Sequence, residues 1–410
     1  MTGKDPVLDE LEDRLARYPA ERYPVQHATA RFHLGVALLQ RGRPADAARE
    51  LAAATERFDE RLLPVEHAKA RNMLGIALRD RGDNAGARLA FEHAAGLFAA
   101  AGRQLEEAAA RYNLGLAHRA EGSGDQATLQ FSRALEVFTG HQAPAEASAA
   151  TRELAAQRLA EGRPGEAMSL YERAVELADQ AANETARGAA ANGLGVALLA
   201  LERATDAGEA FRRALAAHPA SVRPAEHAMA RANLALAWEL AGNADRARLA
   251  ARQALAVAVI PEAAAEQTRA LLARLPAGGG SLAAVLVSEP ADGRPAVLRD
   301  EMARWIQSAE TERRDGVTEW LTALAGWPLP EELAGQWLGV LLELPPAELA
   351  AVSAATAGQL AGLPAAEKER LQASLDRAMA RFPPPQWERL RHVFGGALAT
   401  GPAPAQPGNE

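Results

Sequence analysis

The chain contains 410 residues, carries a formal net charge of -8 and has no cysteine. Its length and its 48% of hydrophobic residues allow two or three domains, or one extended array, with a sizeable buried core. The acidic balance argues against nucleic acid and anionic membranes as partners, because both select clustered Lys and Arg. The lack of cysteine excludes disulfides, thiol nucleophiles and thiolate metal sites.

The N-terminal stretch MTGKDPVLDELEDRLARYPA lacks the basic start and apolar core of a targeting signal. No apolar run in the sequence reaches the length of a membrane span. We therefore expect a cytoplasmic protein, and the abundance of Ala, Gly, Arg and Pro is typical of a high-GC bacterial genome. Residues 1–22 are predicted to form an N-terminal capping helix, in which Pro6 to Tyr18 cover the first repeat.

A 40-residue repeat occupies residues 23–261. The segments QHATARFHLGVAL at Gln26, EHAKARNMLGIAL at Glu66 and EHAMARANLALAW at Glu226 share one frame, and six copies follow in register without insertion or deletion. A fixed period of about 20 to 50 residues is typical of a solenoid, in which each unit buries its apolar face against its neighbours. The same leucine recurs in every copy, at Leu34, Leu74, Leu114, Leu154, Leu194 and Leu234.

Each copy is predicted to be a pair of helices. Ala30, Leu34 and Ala37 share one helical stripe, and Gly42 follows where a helix C-terminus favours the left-handed conformation. We expect Gly35 to lie where the two helix backbones approach each other, since a larger side chain would push them apart. The second helix is predicted to bury a stripe of its own, formed by Ala47, Leu51, Ala54 and Phe58.

This pattern resembles the tetratricopeptide repeat over about residues 23–260. That family has Leu-Gly in its first helix and an Ala, an aromatic residue and an Ala in its second, as found here at Leu114-Gly115 and around Phe131. The resemblance implies an all-α fold, a TPR-like α-solenoid of six helix-pair repeats followed by a separate helical domain. The period of 40, against about 34 in the common unit, is similar to the extended repeats of kinesin light chains.

The resemblance also implies a binding surface on the first helices, which line the groove in tetratricopeptide proteins. Peptide-binding Leu-Gly-Asn proteins have an asparagine after Leu-Gly, whereas this chain has apolar residues there, such as Val36 and Ile76. We therefore do not expect their hydrogen-bonding ladder to an extended peptide. The lysine-and-asparagine clamp of chaperone-binding members is missing for the same reason.

The chain changes character after the repeats. Residues 262–281 are predicted to form a terminal helix and a Gly-rich linker, whose GGGS sequence lacks the lysine of a phosphate loop. Residues 282–399 contain five of the six tryptophans and are predicted to form a helical C-terminal domain, and residues 400–410 a disordered tail. The segment LAAVLVSE, residues 282–289, fits a short strand or a helix.

We predict no catalytic, cofactor-binding or metal-binding residues. His27, His67 and His227 share one repeat position, but equivalent points on adjacent packed helices lie about 8 to 10 Å apart, too far for one metal ion. We interpret them as polar residues of the first helical turn. The glutamates between residues 301 and 319 are spaced for a solvated helix face, and the tryptophans are more typical of a core than of a cofactor platform.

Three polar features of the repeats have open interpretations. Arg79 and Arg119 occupy equivalent positions and could receive a carboxylate, although arginines on a solvated face need no function. The fourth copy carries Glu153, with Gln157 and Arg158, where the other copies are mostly apolar or small. This irregularity indicates either a local kink or a contact with a partner.

We predict that the partner binds the face of the first helices that carries positions equivalent to 32, 36 and 39. Exposed aliphatic and aromatic surface of this extent normally marks an interaction site. We expect an apolar helix or segment there, oriented by Asn72, Arg79 and Arg119; the alternative is that these side chains pack only between neighbouring first helices. The predicted groove residues are Phe32, Val36, Leu39, Asn72, Ile76, Arg79, Tyr112, Leu116, Arg119, Arg152, Asn192, Val196 and Leu199.

The leading functional hypothesis is a non-enzymatic scaffold or adaptor that binds a protein or peptide, or its own C-terminal domain, in this groove. A second hypothesis is a peptide-responsive regulator resembling quorum-sensing receptors built on similar repeats. Only about twenty residues precede the first repeat, so their usual helix-turn-helix domain has no counterpart. A third is that the C-terminal domain is an enzyme recruited through the repeats, although no catalytic constellation supports it.

Overall fold

The computed structural model describes residues 5–276 and 282–394, and every regular element within them is a helix, as predicted. Within these ranges no helix is long and apolar enough to cross a membrane. The predicted glycine linker and C-terminal tail lie outside the described residues. The helices are α1 (Pro6–Arg17), α2 (Pro24–Gln40), α3 (Pro44–Arg57), α4 (Pro64–Asp80), α5 (Asn84–Ala100), α6 (Gln104–Ala120), α7 (Gly124–Gly140), α8 (Pro144–Ala160), α9 (Pro164–Gln180), α10 (Glu184–Ala200), α11 (Ala204–Ala217), α12 (Pro224–Leu240), α13 (Ala244–Leu255), α14 (Glu262–Arg274), α15 (Leu282–Ser288), α16 (Arg294–Gln307), α17 (Glu310–Ala325), α18 (Pro330–Glu343), α19 (Pro346–Ala361), α20 (Ala365–Met379) and α21 (Pro384–Phe394).

The chain forms two compact units that divide between Leu201 and Glu202. Unit 1 contains α1 to α10, and unit 2 contains α11 to α21. The domain boundaries expected from the sequence, at residues 22, 261, 281 and 399, stay predictions.

The first helices of the copies keep one phase along the chain. In unit 1, α2, α4, α6, α8 and α10 begin at residues 24, 64, 104, 144 and 184, and in unit 2, α12 begins at residue 224. Proline opens several of them because its ring fixes a helical φ, and the first helical position needs no N–H donor. The predicted array of helix pairs in register is confirmed.

Glycine ends several first helices, as predicted. At the end of α2, Gly42 has a φ of 67°, a conformation that costs glycine little because it has no Cβ. Its N–H donates to the Leu39 carbonyl at 3.0 Å, and the Arg43 N–H donates to the Leu38 carbonyl at 3.0 Å. These two bonds form a Schellman motif, which satisfies helix carbonyls and turns the chain into α3.

A second glycine makes room for the partner helix in several of the pairs, whereas the fourth and sixth copies have Ala155 and Ala235 there. A Cβ on Gly35 would lie 2.5 Å from Cγ of Leu51 and 3.3 Å from the Ala47 carbonyl oxygen. At Gly75 and Gly115 the obstacle would be the ring of the aromatic residue that occupies the Leu51 position. The predicted close approach of the two helices is therefore present. The side chain at the Leu51 position of the second helix, more than its backbone, determines how close the first helix can come.

The N-terminal helix α1 packs against the first repeat. Leu8 is buried in an apolar cluster with Leu34, Leu38 and Leu51. Asp5 caps α1 by accepting the backbone N–H of Val7 at 3.0 Å, because a carboxylate satisfies N–H groups that have no helical partner. The helix covers apolar surface that the first repeat would otherwise expose.

The tryptophans of unit 2 form its core. Trp305, Trp320 and Trp337 are almost completely buried, and the rings of Trp320 and Trp337 stack with centroids 5.4 Å apart. Leu249 of α13 belongs to the same cluster, so the last repeat contributes to this core. The segment at 282–289, open between strand and helix in the sequence, forms the short helix α15, which buries Leu286.

Candidate functional site

The predicted groove lies within unit 1, on α2, α4, α6, α8 and α10. Of its thirteen residues Arg119 is exposed and all others are partly buried. Phe32 packs on the first-repeat cluster, Ile76 on the cluster around Phe91, and Tyr112 on the cluster around Phe131. The side chains thus contact neighbouring helices and also keep accessible surface, so their role in partner binding stays a prediction.

A buried carboxylate stands among the groove residues. The side chain of Glu153 is 8% exposed, and its two oxygens pair with different arginines, Arg119 of α6 and Arg152 of α8, the latter at 3.0 Å. Charged donors of this kind offset the hydration that a carboxylate loses when it is buried. We call these three residues the central ion triad, and they leave one positive charge in surplus.

The triad accounts for Glu153 in the irregular fourth copy. The helix α8 runs without a break from Pro144 to Ala160, and Glu153 is engaged by arginines of this chain. Arg119, one of two arginines that could receive a carboxylate, pairs with one of its own chain, while Arg79 pairs with the neighbouring Asp80 at 3.0 Å. Their action on a ligand stays a prediction.

Aromatic side chains lie close to the triad. The ring of Tyr112 lies 5.7 Å from that of Phe131, and burial raises the pKa of the Tyr112 hydroxyl, with the Glu153 carboxylate adding to the shift. Burial and the same carboxylate raise the pKa of Tyr171. Both hydroxyls therefore stay protonated at neutral pH and remain available as hydrogen-bond donors.

An amide pair links two first helices of the groove. The Asn113 amide nitrogen donates to the Asn72 side-chain oxygen at 3.2 Å, which joins α4 and α6. Sequence reasoning placed Asn72 in the groove and singled out Glu153 as an irregularity, but it missed Asn113, which occupies the same repeat position as Glu153. The available signal was a polar residue directly before the recurring leucine, in the middle of an otherwise apolar helix.

The three histidines at one repeat position each bond to the helix that precedes their own copy. Nδ1 of His27, His67 and His227 lies 2.9, 2.8 and 2.8 Å from the backbone carbonyl oxygen nine residues earlier. Each ring thus tethers the first turn of its helix to the end of the helix before it. This contact agrees with their interpretation as polar first-turn residues.

Unit 2 contains a cavity of about 800 Å³ between its repeat helices and α16. On its wall, Asp300 pairs with Arg231 and lies 3.4 Å from Nε2 of His227. Burial lowers the pKa of Arg231 to about 9, and burial together with Arg231 lowers the pKa of His227 to about 4. At neutral pH the imidazole of His227 is therefore uncharged, whereas Arg231 beside it is charged and pairs with Asp300.

The described residues define a helical-repeat protein of the α-solenoid class. The sequence model of the tetratricopeptide repeat matches residues 13–60, 32–101, 72–140 and 159–222. The repeat region therefore belongs to the tetratricopeptide repeat family, as its sequence pattern predicted. A comparison with curated protein sequences gives no match.

Solved structures with a similar fold include other repeat proteins. The TPR-like repeats of a kinesin light chain from Podosopora anserina are 19% identical, with 51% of this chain and 97% of that chain covered and a TM-score of 0.38. PilF of Pseudomonas aeruginosa is 17% identical, with 59% of this chain and 97% of that chain covered and a TM-score of 0.45. The apo form of RapI is 13% identical, with 64% of this chain and 90% of that chain covered and a TM-score of 0.48. At these values the likeness concerns the helical repeat fold and carries no functional argument.

Proposed function

We propose that the chain is a non-enzymatic scaffold or adaptor that binds an apolar segment of a partner protein in the groove of unit 1. The observation that carries this proposal is the row of partly buried apolar side chains on the first helices, which includes Val36, Ile76, Leu116 and Val196. Side chains that only packed between helices would be fully enclosed, whereas these keep accessible surface that a partner can bury.

The central ion triad supplies the polar part of the proposed recognition. Glu153 neutralises one of its two arginines, and Arg119 keeps 42% of its side-chain surface exposed. An acidic residue of the partner segment would pair with this surplus charge and fix its direction along the groove. We therefore propose a partner segment that is mainly apolar, with one acidic residue near its centre. We place chain and partner in the cytoplasm of a bacterium.

Affinity purification with matched variants tests the proposal. The chain is used as bait in an extract of its native host, and bound proteins are identified by mass spectrometry. Tyr112→Ala with Leu116→Ser should weaken binding of the groove partner by about 2 kcal/mol or more, because central anchors dominate interface energies. A second bait, Ile76→Ala with Leu199→Ala, removes apolar surface of the groove without introducing a polar side chain.

The control bait carries Leu89→Ser and Leu129→Ser. These leucines lie on the second helices α5 and α7 and are 58% and 41% exposed, so their loss removes apolar surface away from the groove. A partner that is lost with both groove baits and kept with the control supports the proposal, provided that circular dichroism shows all baits folded. Equal recovery with every bait contradicts it, and recovery of a short peptide instead of a protein favours the peptide-responsive regulator.

A further inference from the structure

Three side chains of types that can bind a metal ion meet in unit 1. Glu60 lies in the loop after α3, His67 in α4 and His93 in α5. One oxygen of the Glu60 carboxylate, Oε2, lies 3.6 Å from Nε2 of His67 and 3.3 Å from Nε2 of His93. The three candidate ligand atoms all lie within 4.8 Å of one another. We call these residues the His-Glu cluster.

A backbone hydrogen bond fixes the tautomer of His67. Its Nδ1 lies 2.8 Å from the carbonyl oxygen of Phe58. Because a carbonyl can only accept, Nδ1 carries the proton, and in the neutral ring the lone pair is on Nε2, which faces Glu60. Histidine ligands of metal ions are oriented by this kind of bond from their other ring nitrogen.

Among the residues that the structure describes, such a cluster occurs at one place, between the first and second copies. His27 and His227 make the same bond to a carbonyl, but Nε2 of His27 accepts from Arg31 at 2.9 Å and Nε2 of His227 faces Asp300. In the other copies, alanine, glycine, glutamine or isoleucine occupies the position of Glu60, and alanine, arginine or glutamine that of His93. The repeat architecture therefore explains His67 but neither Glu60 nor His93.

The separations suit a small divalent ion. Zinc binds nitrogen and carboxylate oxygen at about 2.0 to 2.2 Å, which places tetrahedral ligand atoms about 3.3 Å apart. Both contacts of Glu60 are close to that value. The side chain of His67 is 8% exposed, whereas those of Glu60 and His93 are 45% and 36% exposed, so the buried ligand is already fixed and the two outer ones can adjust.

Arg71 competes for the same lone pair. Its Nε donates to Nε2 of His67 at 3.3 Å, a long hydrogen bond. A bound cation would have to displace this guanidinium, which can move away because it lies at the end of a flexible side chain. Arg71 therefore opposes metal binding, and its removal offers a direct test.

We propose that Glu60, His67 and His93 bind one Zn²⁺ ion, with water completing the coordination. The ion would join the loop after α3 to α4 and α5, and so tie the first repeat to the second. This site is independent of partner binding in the groove.

Isothermal titration of the full chain, without a histidine tag, with zinc chloride tests the site. We expect one ion per chain with a dissociation constant in the micromolar range or below. His93→Ala and Glu60→Gln should each weaken binding at least 10-fold, since each removes one of three protein ligands. The matched control is His33→Ala, which removes an exposed histidine of α2 outside the cluster and should leave the affinity unchanged.

The variant Arg71→Ala distinguishes a metal site from a cluster of side chains that are only hydrogen-bonded to one another. It should increase zinc affinity several-fold, because it removes both the competing donor and a positive charge. Cobalt(II) should give visible absorption bands typical of tetrahedral coordination in the wild type and lose them in His93→Ala. The proposal is overturned if zinc shows no saturable binding, or if His93→Ala and Glu60→Gln, both folded by circular dichroism, bind it as tightly as the wild type.

Discussion

The glycine in the middle of several first helices shows how one missing side chain sets the spacing of a helix pair. A Cβ on Gly115 would lie 2.6 Å from the Phe131 ring, closer than real carbon contacts allow. Phe131 is fully buried and cannot withdraw without opening a gap elsewhere. A glycine on the first helix opposite a large side chain on the second therefore lets the two helices pack closely.

Gly115→Leu should destabilise unit 1 by about 1 to 3 kcal/mol or more, because the new side chain overpacks the contact with Phe131. Chemical denaturation followed by circular dichroism measures the change. The matched control is Gly96→Ala in α5, where a new Cβ meets no atom within 4 Å. That substitution should stabilise by about 0.5 to 1 kcal/mol, because alanine favours the helix. Equal effects at both glycines would show that the helix contact is misassigned.

His227 gives unit 2 a pH-dependent stability. Burial and the nearby Arg231 lower its pKa from 6.5 to about 4. Below pH about 6.5 the unfolded chain binds a proton that the folded unit excludes. Stability is therefore complete above that pH and is lost as pH falls toward 4, by up to about 3 kcal/mol.

The variant His227→Gln should remove this contribution while keeping a donor for the His218 carbonyl. Melting temperatures measured between pH 7.5 and 4.5 should fall more steeply for the wild type than for the variant. His218 is also buried with a lowered pKa, and its own burial contributes to the pH dependence of both proteins. Parallel curves would mean that His227 takes up its proton equally in the folded and unfolded states.

Residues of the core could be predicted because apolar periodicity reports burial directly. Leu34, Ala47 and Leu51 are buried as expected. The polar contacts were missed because they join side chains from different copies or different helices. Glu153 meets Arg119 across 34 residues, and no local pattern specifies such a pair.

At the scale of elements, the sequence predicted the phase of the helices because the chain repeats its start and stop signals. Glycine at Gly42 and Gly82 ends α2 and α4 with a positive φ. At Gln142, Ala182 and Glu202 the same left-handed turn forms without glycine, with φ values of 54°, 49° and 59°. A stop signal read from glycine alone therefore misses these three helix ends.

The element at residues 282–289 shows the limit of periodicity for short segments. Seven apolar or small residues fit a buried strand as well as a helix. The chain forms α15, whose Val285 and Leu286 pack into the tryptophan core, and Arg246 pairs with Glu289 directly after it at 2.9 Å. Contacts with distant elements decide the conformation, and a single segment does not contain them.

At the scale of the whole molecule, the sequence predicted a repeat array and a helical C-terminal region, both of which are present. The chain divides between Leu201 and Glu202, inside the fifth copy. Internal symmetry in the sequence reports which residues are equivalent, but it does not report how strongly successive copies are held together. That strength depends on the sum of side-chain contacts, which differs from copy to copy.

Site-specific photo-crosslinking tests the central claim that the groove of unit 1 binds a partner segment. A photoreactive amino acid placed at position 76 or 116 faces the groove, and one placed at position 89 or 129 lies on the second helices. After irradiation in the native host, adducts are identified by mass spectrometry. We predict that positions 76 and 116 form an adduct with the same mainly apolar partner segment, whereas positions 89 and 129 do not. Adducts with that partner only from positions 89 and 129 would contradict the assignment of the groove.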